Sequence, residues 1–386
     1  MEKKNINKQK TLGLSLGLCG AVCVWSFLCY ISSTMGIIGL LKNEILAVII
    51  VSVIALLGGI CLTMACLKNK VIKKISLVFS CLLTVAGLIG NVLLFSFQFK
   101  SPNGEIGLNF YSSSSPKINQ EKRLNLAVAS DGHWGWEKAN AEARTQILKD
   151  IGGGNYDLFT FGGDLVDMAF MPGQFEEAIA DLEKYCGNVP MAFVMGNHDV
   201  MVNSQLPFRK YFQPKESSFN FVLNPATDVY IVCFNLLWGM EDVSRESLIW
   251  LEKVLSGFSP NDVVIFQAHA FAFASGEVSS GLGKWFDNPQ VIEKIVPLLE
   301  KYKVDLMVSG HQHSMELMEN NGVHYALVGP SGGSLCHDYK VKTRANQIYY
   351  NGDTYGYVQI QIEQNSLTLT FKNQIGENLF AKTIEV

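Results

Sequence analysis

Two regimes of hydrophobic patterning divide the chain. Over its first hundred residues the apolar positions run on almost unbroken: no Asp, Glu, Lys or Arg occurs in 11–41, 45–67 or 75–99. Each run is longer than the roughly 20 residues that span a bilayer as a helix, so the pattern predicts three transmembrane helices. A cleaved leader is the competing reading of the first run. It is disfavoured because that run is too long and two more follow it. From residue 123 the pattern turns into short apolar runs, at 124–130, 158–161, 191–195, 230–235, 263–267, 306–309 and 325–328. Between them, 137–151, 174–185, 244–255 and 290–302 carry apolar residues at helical spacing. Strands separated by helices predict a layered α/β domain with its sheets inside. The tail alternates instead, 355–363 and 366–372 forming a hairpin about a turn at 363–365. Residues 101–122, with Ser101-Pro102-Asn103-Gly104, four serines at 112–115 and Pro116, read as a tether. The expected organisation is a membrane domain over 1–100, a linker over 101–122 and a soluble domain over 123–386.

Charge sharpens this division. Of 31 basic and 35 acidic residues, ten and two fall in the first hundred, which leaves residues 101–386 with 21 against 33, a net of −12. So acidic a domain lacks the basic footprint that general nucleic-acid binding requires, and no nucleic-acid partner is expected. Small anionic substrates are not excluded, because bound cations can dominate the local field. Lysines cluster before the first apolar run (Lys3, Lys4, Lys8, Lys10) and between the second and third (Lys68, Lys70, Lys73, Lys74). The positive-inside rule therefore places the N-terminus in the cytoplasm and, after three crossings, residues 101–386 outside. Six of the nine cysteines lie in or beside the apolar runs, and Cys186, Cys233 and Cys336 show no metal or disulfide spacing. Asn91 and Gln98 are the main polar interruptions of the runs, which favours an anchor over a transport pathway. Gly13 and Gly17 have the spacing of a helix-packing face, more often incidental than functional.

The chemistry sits where apolar runs end. Asp131-Gly132-His133, Gly162-Gly163-Asp164, Gly196-Asn197-His198-Asp199, His269 and Gly310-His311-Gln312-His313 each follow a strand-like run. Ions that activate water for attack on phosphorus take oxygen and imidazole ligands, and a shared carboxylate holds two of them together. Asp131 and His133, or His311 and His313, stand two apart and can turn into one site. Asp164 follows glycines that let the backbone bend. Two carboxylates, one amide and four imidazoles suit two metals, and His198 is left to contact substrate. Singly, each piece is weak: a Gly-Asp is most often a turn, and a lone histidine such as His269 is most often a satisfied core residue. All of them in this order at strand ends make coincidence a poor explanation.

This series resembles the calcineurin-like metallophosphoesterase superfamily over about residues 123–330. The resemblance implies a four-layer αββα sandwich and hydrolysis of phosphate mono- or diesters by a metal-bound hydroxide at a dinuclear site. It implies that Asp131, His133 and His313 hold one metal, that Asp164 bridges, and that Asn197, His269 and His311 hold the second. It gives His198 to the phosphate or leaving group, with Asp199 orienting it. The donor set suits manganese, iron, zinc or nickel alike. Asp167 departs from the purple acid phosphatases, which resemble one another in placing a tyrosine three residues after the bridging aspartate. Gly-Asp-x-x-Asp looks more like a phosphodiesterase branch, though a plain turn or supporting role is the simpler reading of Asp167. Trp134 and Trp136 either wall the pocket or pack on the fold. His324 and His337 match no motif, and 329–333 is too short to read as a phosphate loop. A membrane-anchored phosphoesterase outside the cell, with a lipid-linked or cell-envelope substrate, is the first expectation. A non-catalytic metal- or ligand-binding sensor domain on the same anchor is the alternative.

Overall fold

A computed structural model describes residues 100–386 apart from 202–204, 236–242, 277, 281–282, 336–339 and 343, together with Val71 and Val78. The chain divides into two compact units, Met1–Lys100 and Ser101–Val386. Apart from Val78, the three long apolar runs and the lysines that orient them fall outside the described residues. Among the described residues, no helix is long and apolar enough to cross a membrane.

Unit Ser101–Val386 is built on two large sheets. In chain order its strands are β1 (Arg123–Ala129), β2 (Leu158–Phe161), β3 (Met191–Phe193), β4 (Phe221–Ala226), β5 (Val229–Cys233), β6 (Val263–Gln267), β7 (Val278–Ser280) and β8 (Gly283–Trp285). They continue as β9 (Leu306–Ser309), β10 (Met315–Asn320), β11 (Val323–Val328), β12 (Gln347–Asn351), β13 (Gly356–Glu363), β14 (Ser366–Asn373) and β15 (Asn378–Glu385). The helices are α1 (Ala141–Gly153), α2 (Gln174–Cys186), α3 (Gln205–Phe212), α4 (Arg245–Leu255), α5 (Pro289–Lys294) and α6 (Val296–Lys301). One sheet has the order β15-β14-β13-β1-β2-β3 and the other β12-β10-β11-β9-β6-β5-β4, while β7 and β8 pair alone.

Period-two burial on both faces explains the layers. Along β1, Leu124, Leu126 and Val128 point into a core shared with Ile231, Ile265, Leu306 and Val308 of the second sheet. Their neighbours Ala127 and Ala129 point the other way, onto Ile147 and Leu148 of α1 and Phe175 of α2. The second sheet repeats the arrangement: Val264, Phe266 and Met307 face Leu251 of α4, Val291 of α5 and Leu299 of α6. A strand buried on both faces reads as a continuous apolar run, which is why these strands show plainly in the sequence. The product is the expected αββα sandwich.

Several local differences have physical causes. The single helix expected over 290–302 is two, α5 and α6, hinged at Ile295, because Pro297 in the first turn of α6 has no N–H to continue the ladder. The helix expected to begin at 137 begins at Ala141, where the Asn140 side chain accepts from the Ala143 N–H as a cap. The C-terminal hairpin of β13 and β14 gains a third strand, β15, whose faces are mostly exposed and so carry little hydrophobic signal. Residues of the expected tether are also woven into the unit. Tyr111 and Phe110 are buried in its cores, and Tyr111 N donates to Met191 O at 2.8 Å.

What matters for chemistry is direction. β1, β2 and β3 run parallel, as do β5, β6 and β9. The chain segments that leave β1, β2, β3, β6 and β9 at their C-terminal ends carry every candidate residue. In open parallel sheets that edge is where ligands bind.

Candidate metal centre

The strand ends are bent hard. Asp131, His133, Asp164, His311 and His313 all hold left-handed backbone, with φ between 47° and 71°. Such conformations cost about 1–3 kcal/mol each for non-glycine residues and persist only where their surroundings impose them. Here the surroundings do: Asp131 N donates to Gly163 O at 3.0 Å, and Gly332 N and Gly333 N both donate to Asp131 O, at 3.2 and 2.8 Å. Arg144, buried on α1, donates from Nη1 to Gly132 O at 2.8 Å and lies 4.2 Å over the Trp134 ring. Two glycines allow the close approach of one strand end to another. A Cβ on Gly310 would overlap Ser130 Oγ and stand 2.5 Å from Asp131 Oδ2, and one on Gly196 would overlap the backbone and carboxylate of Asp164.

Seven candidate ligands converge as two groups. Asp131, His133 and His313 offer atoms within 4.8 Å of one another, and so do Asp164, His269 and His311. In the first, His313 Nε2 lies 3.2 Å from Asp131 Oδ1 and 3.2 Å from His133 Nε2. In the second, His269 Nε2 lies 3.1 Å from Asp164 Oδ2. The groups meet at Asp164, whose Oδ2 is also 3.9 Å from His133 Nε2. Asn197 joins the second group through Oδ1, 2.9 Å from His311 Nδ1.

The outer nitrogens are already committed, which fixes what the inner ones present. His269 Nδ1 donates to Gly162 O at 2.9 Å, and His313 Nδ1 donates to Ser334 O at 2.7 Å. In both rings Nε2 is left to face a carboxylate. His269 Nε2 makes no aligned hydrogen bond despite its proximity to Asp164. His133 turns Nδ1 towards Asp167 Oδ1 at 3.6 Å and Nε2 into the centre.

The electrostatics of this cluster ask for positive charge. Asp131 and Asp164 are fully buried. Burial pushes both carboxyls up, yet facing imidazoles, His313 for Asp131 and His269 for Asp164, hold them below the ordinary carboxylate value, Asp164 well below it. The imidazoles are driven apart in turn. Burial lowers His269, but Asp164 and Asp131 together carry it up to about 9, and Asp131 likewise raises His313. Burial and the neighbouring charge of His269 push His311 down to about 3, and burial also lowers His133. Buried carboxylates survive only when paired or bound to metal. Protons on His269 and His313 are stand-ins that metal binding would release. The donor set, the unaligned inner nitrogen and the buried carboxylates all fit two divalent cations.

His198 stands apart. Its side chain is 27% exposed, the ring centroid lies 4.8 Å from that of His133, and its N–H donates to Asp164 Oδ1 at 2.8 Å. The resemblance gives Asp199 the task of orienting this ring, but the structure gives it to Asp167. His198 Nδ1 donates to the Asp167 carbonyl at 2.5 Å, with the Asp167 carboxylate 3.7 Å away. Asp199 is instead buried beneath the loop, accepting from Val166 N at 3.2 Å and Gly196 N at 2.8 Å. Burial and then the Asp164 charge push its carboxyl up to about 7. The segment 329–333 does reach the site: a Cβ on Gly333 would lie 2.7 Å from His313 Cε1 and 2.8 Å from His133 Cδ2. Ser334 is the residue that sequence reasoning passed over, the glycine pair beside it being its only signal, whereas Asp167 takes the supporting role read for it from the sequence. Trp134 is fully buried, its Nε1 donating to Asp181 Oδ2 at 2.8 Å, so it packs on the fold. His324 lies away from the site on β11, and His337 falls outside the described residues.

Residues 124–315 match the family model of the calcineurin-like phosphoesterases. The chain carries a calcineurin-like metallophosphoesterase domain. Among curated proteins it is similar to tartrate-resistant acid phosphatase type 5 of Mus musculus, 24% identical over 289 residues that cover 65% of this chain and 85% of the relative. Among solved structures it is similar to a purple acid phosphatase from seeds of yellow lupin, Lupinus luteus, with a TM-score of 0.59 and 20% identity. That match covers 70% of this chain and 55% of the lupin protein, so the chain spans about half of that enzyme's length. It is also similar to GAP50, the anchor in the inner membrane complex of Plasmodium, with a TM-score of 0.52 and 16% identity over 69% of this chain and 90% of that one. At these identities the structural matches establish the fold alone. The curated relative is, by name, an acid phosphatase.

Proposed function

We propose that this metallophosphoesterase domain is a dinuclear metal-dependent phosphatase that hydrolyses phosphate monoesters. The observation that carries the reading is Asp164. Its buried carboxylate lies between the two donor groups, 3.1 Å from His269 Nε2 and 3.9 Å from His133 Nε2. Asp131, His133 and His313 would hold one cation, and Asn197, His269 and His311 the other, with Asp164 shared. When bound, such a pair of cations supplies an activated water and charge stabilisation for the phosphoryl group.

The chain's own residues supply the proton and the geometry. His198 Nδ1 is held by the Asp167 carbonyl, so Nε2 is the atom available to the site. A proton carried there is passed to the departing oxygen, and the fixed carbonyl keeps the ring turned for that transfer. Asp199 acts on backbone: it ties Gly196 to Val166 and so fixes where Asn197 and His198 emerge. The left-handed strand ends fix where the ligands point, which lowers the reorganisation that cation binding needs.

The preference for monoesters rests on the acid phosphatase similarity. The three uncharged runs of the first hundred residues and their flanking lysines support a multi-pass membrane anchor with the domain outside the cell. That topology makes a lipid-linked or cell-envelope phosphate ester the natural substrate class.

The test is hydrolysis of paired aryl phosphate monoester and diester substrates by full-length protein, first chelated and then reloaded with manganese, beside Asp164→Asn. Metal-dependent release favouring the monoester, and lost in the variant, is the expected result. Metal binding without turnover of either substrate would transfer the site to a sensor role.

A further inference from the structure

The mouth of the centre carries apolar surface that the chemistry of phosphate does not need. Trp136 leaves the first strand end three residues after His133, and its ring centroid lies 5.9 Å from that of His133, tilted by 58°. Unlike Trp134, it is only half-buried. Its backbone is pinned on both sides, Trp136 N donating to His133 O at 3.2 Å and Ala139 N to Trp136 O at 3.0 Å. The loop after the second strand runs alongside: Asp167 N donates to Trp134 O at 3.0 Å, and Met168 N donates to Gln174 Oε1 at 2.7 Å. The two loops thus share hydrogen bonds with each other and with the start of α2. On the second, Met168, directly after the residue that holds His198, is 40% exposed, and Met171 three residues further on is 44% exposed.

Exposed methionines and a tryptophan are costly to leave in water, and they stand here beside the most exposed of the ion-paired imidazoles. A phosphoryl group held between the two donor groups must point its leaving alcohol towards His198, which protonates it. On that side Trp136 stands beside His133, and Met168 follows Asp167, the residue that holds His198. Tryptophan gives a rigid apolar face at low entropic cost, and methionine adapts to varied shapes. We propose that Trp136, Met168 and Met171 form an apolar rim that selects phosphate esters whose alcohol is aryl or alkyl over those of polyols and sugars. The inference rests on the phosphatase reading of the centre and names the substrate class of that same site.

The experiment compares phenyl phosphate, hexyl phosphate and glycerol 1-phosphate as substrates of manganese-loaded full-length protein, wild type, Trp136→Ala and Trp136→Phe. Inhibition by phenylphosphonate and by methylphosphonate is measured in parallel as a readout of binding. Wild type is expected to favour the phenyl and hexyl esters by about tenfold in kcat/KM, a discrimination of the size apolar pockets give. Trp136→Ala is expected to lose at least fivefold more on those two esters than on glycerol 1-phosphate, and to bind the two phosphonates alike. Trp136→Phe should keep most of the preference. A preference confined to phenyl phosphate would support an aryl substrate, and one shared by hexyl phosphate an acyl-chain or alkyl substrate. Equal losses on all three esters, or no preference in wild type, would overturn the rim. Turnover of none of the three by metal-loaded wild type would overturn the phosphatase reading and the rim with it.

Discussion

The ring of His198 is held through Nδ1 by the backbone carbonyl of Asp167 at 2.5 Å, and not by the carboxylate that follows it in sequence. A carbonyl accepts from the neutral ring and from the charged ring alike, so it fixes orientation without demanding one protonation state. The free atom is Nε2, and its expected work is to protonate the departing oxygen. His198→Ala should leave two equivalents of manganese bound while turnover of phenyl phosphate falls about 10²–10⁴-fold, the usual worth of a general acid. The loss should shrink on p-nitrophenyl phosphate, whose leaving group needs no proton. Metal analysis and the two rates decide it; a variant that binds no metal would show His198 to be a ligand.

Asp164 makes the sharpest demand on metal content. Its Oδ2 lies between His269 Nε2 and His133 Nε2, and its Oδ1 accepts from His198 N. Asp164→Asn keeps the backbone bond through the amide oxygen but removes the shared negative charge. We expect at least one of two manganese equivalents to be lost and the affinity of the other to fall about a hundredfold, measured by calorimetry on the chelated protein. Two tightly bound equivalents in this variant would remove Asp164 from the bridging position.

Much of the centre is legible because burial on both faces writes strands as apolar runs, and each run then stops at the residue that does chemistry. β1, β2, β6 and β9 are of this kind, and the seven ligand candidates follow β1, β2, β3, β6 and β9. What the sequence hides are contacts made by backbone. The partners of the outer nitrogens of His198, His269 and His313 are carbonyls of Asp167, Gly162 and Ser334, and a carbonyl has no residue type. The same limit explains the misplaced role of Asp199: its side chain is spent on the N–H groups of Val166 and Gly196, a use no spacing records. Strands such as β12, half-exposed along its whole length, lack the alternation that would have announced them. The apolar runs before residue 100 belong to a different argument, that of hydropathy and lysine placement, which a topology reporter fused after Val386 would decide.

Gly310 tests how tightly the two sheets are drawn together at the centre. Between β9 and His311 it passes so close to β1 that an added methyl would overlap Ser130 Oγ and press on Asp131 Oδ2. Neither atom is free to retreat: Ser130 is fully buried, and the Asp131 carboxylate accepts from His311 N at 3.0 Å through both oxygens. Gly310→Ala should therefore cost about 1–3 kcal/mol by overpacking and weaken manganese binding as well. Denaturant unfolding with and without metal reads both, and an unaltered midpoint in both series would show that the sheets can part at little cost.

Asp305 offers a pH-dependent stability that is independent of the centre. It precedes β9, and its carboxylate accepts from Val264 N at 2.8 Å. Burial pushes its carboxyl up from 3.8 to about 6, with the Val264 N–H and Lys122 opposing. A raised carboxyl favours the protonated form in the fold, so its contribution is fully present below pH 3.8 and is lost as pH rises through about 6. Above that, the native state carries a half-buried charge that costs stability. Asp305→Asn keeps an acceptor for Val264 and cannot ionise. It should be no more stable than wild type at about pH 4 and more stable by about 1–2 kcal/mol at about pH 8, the gap opening between the two. Unfolding midpoints of both proteins across that range check it. A gap that is constant with pH would assign the effect to hydrogen bonding rather than to the charge, and a variant less stable at pH 8 would show that the carboxylate is welcome where it sits.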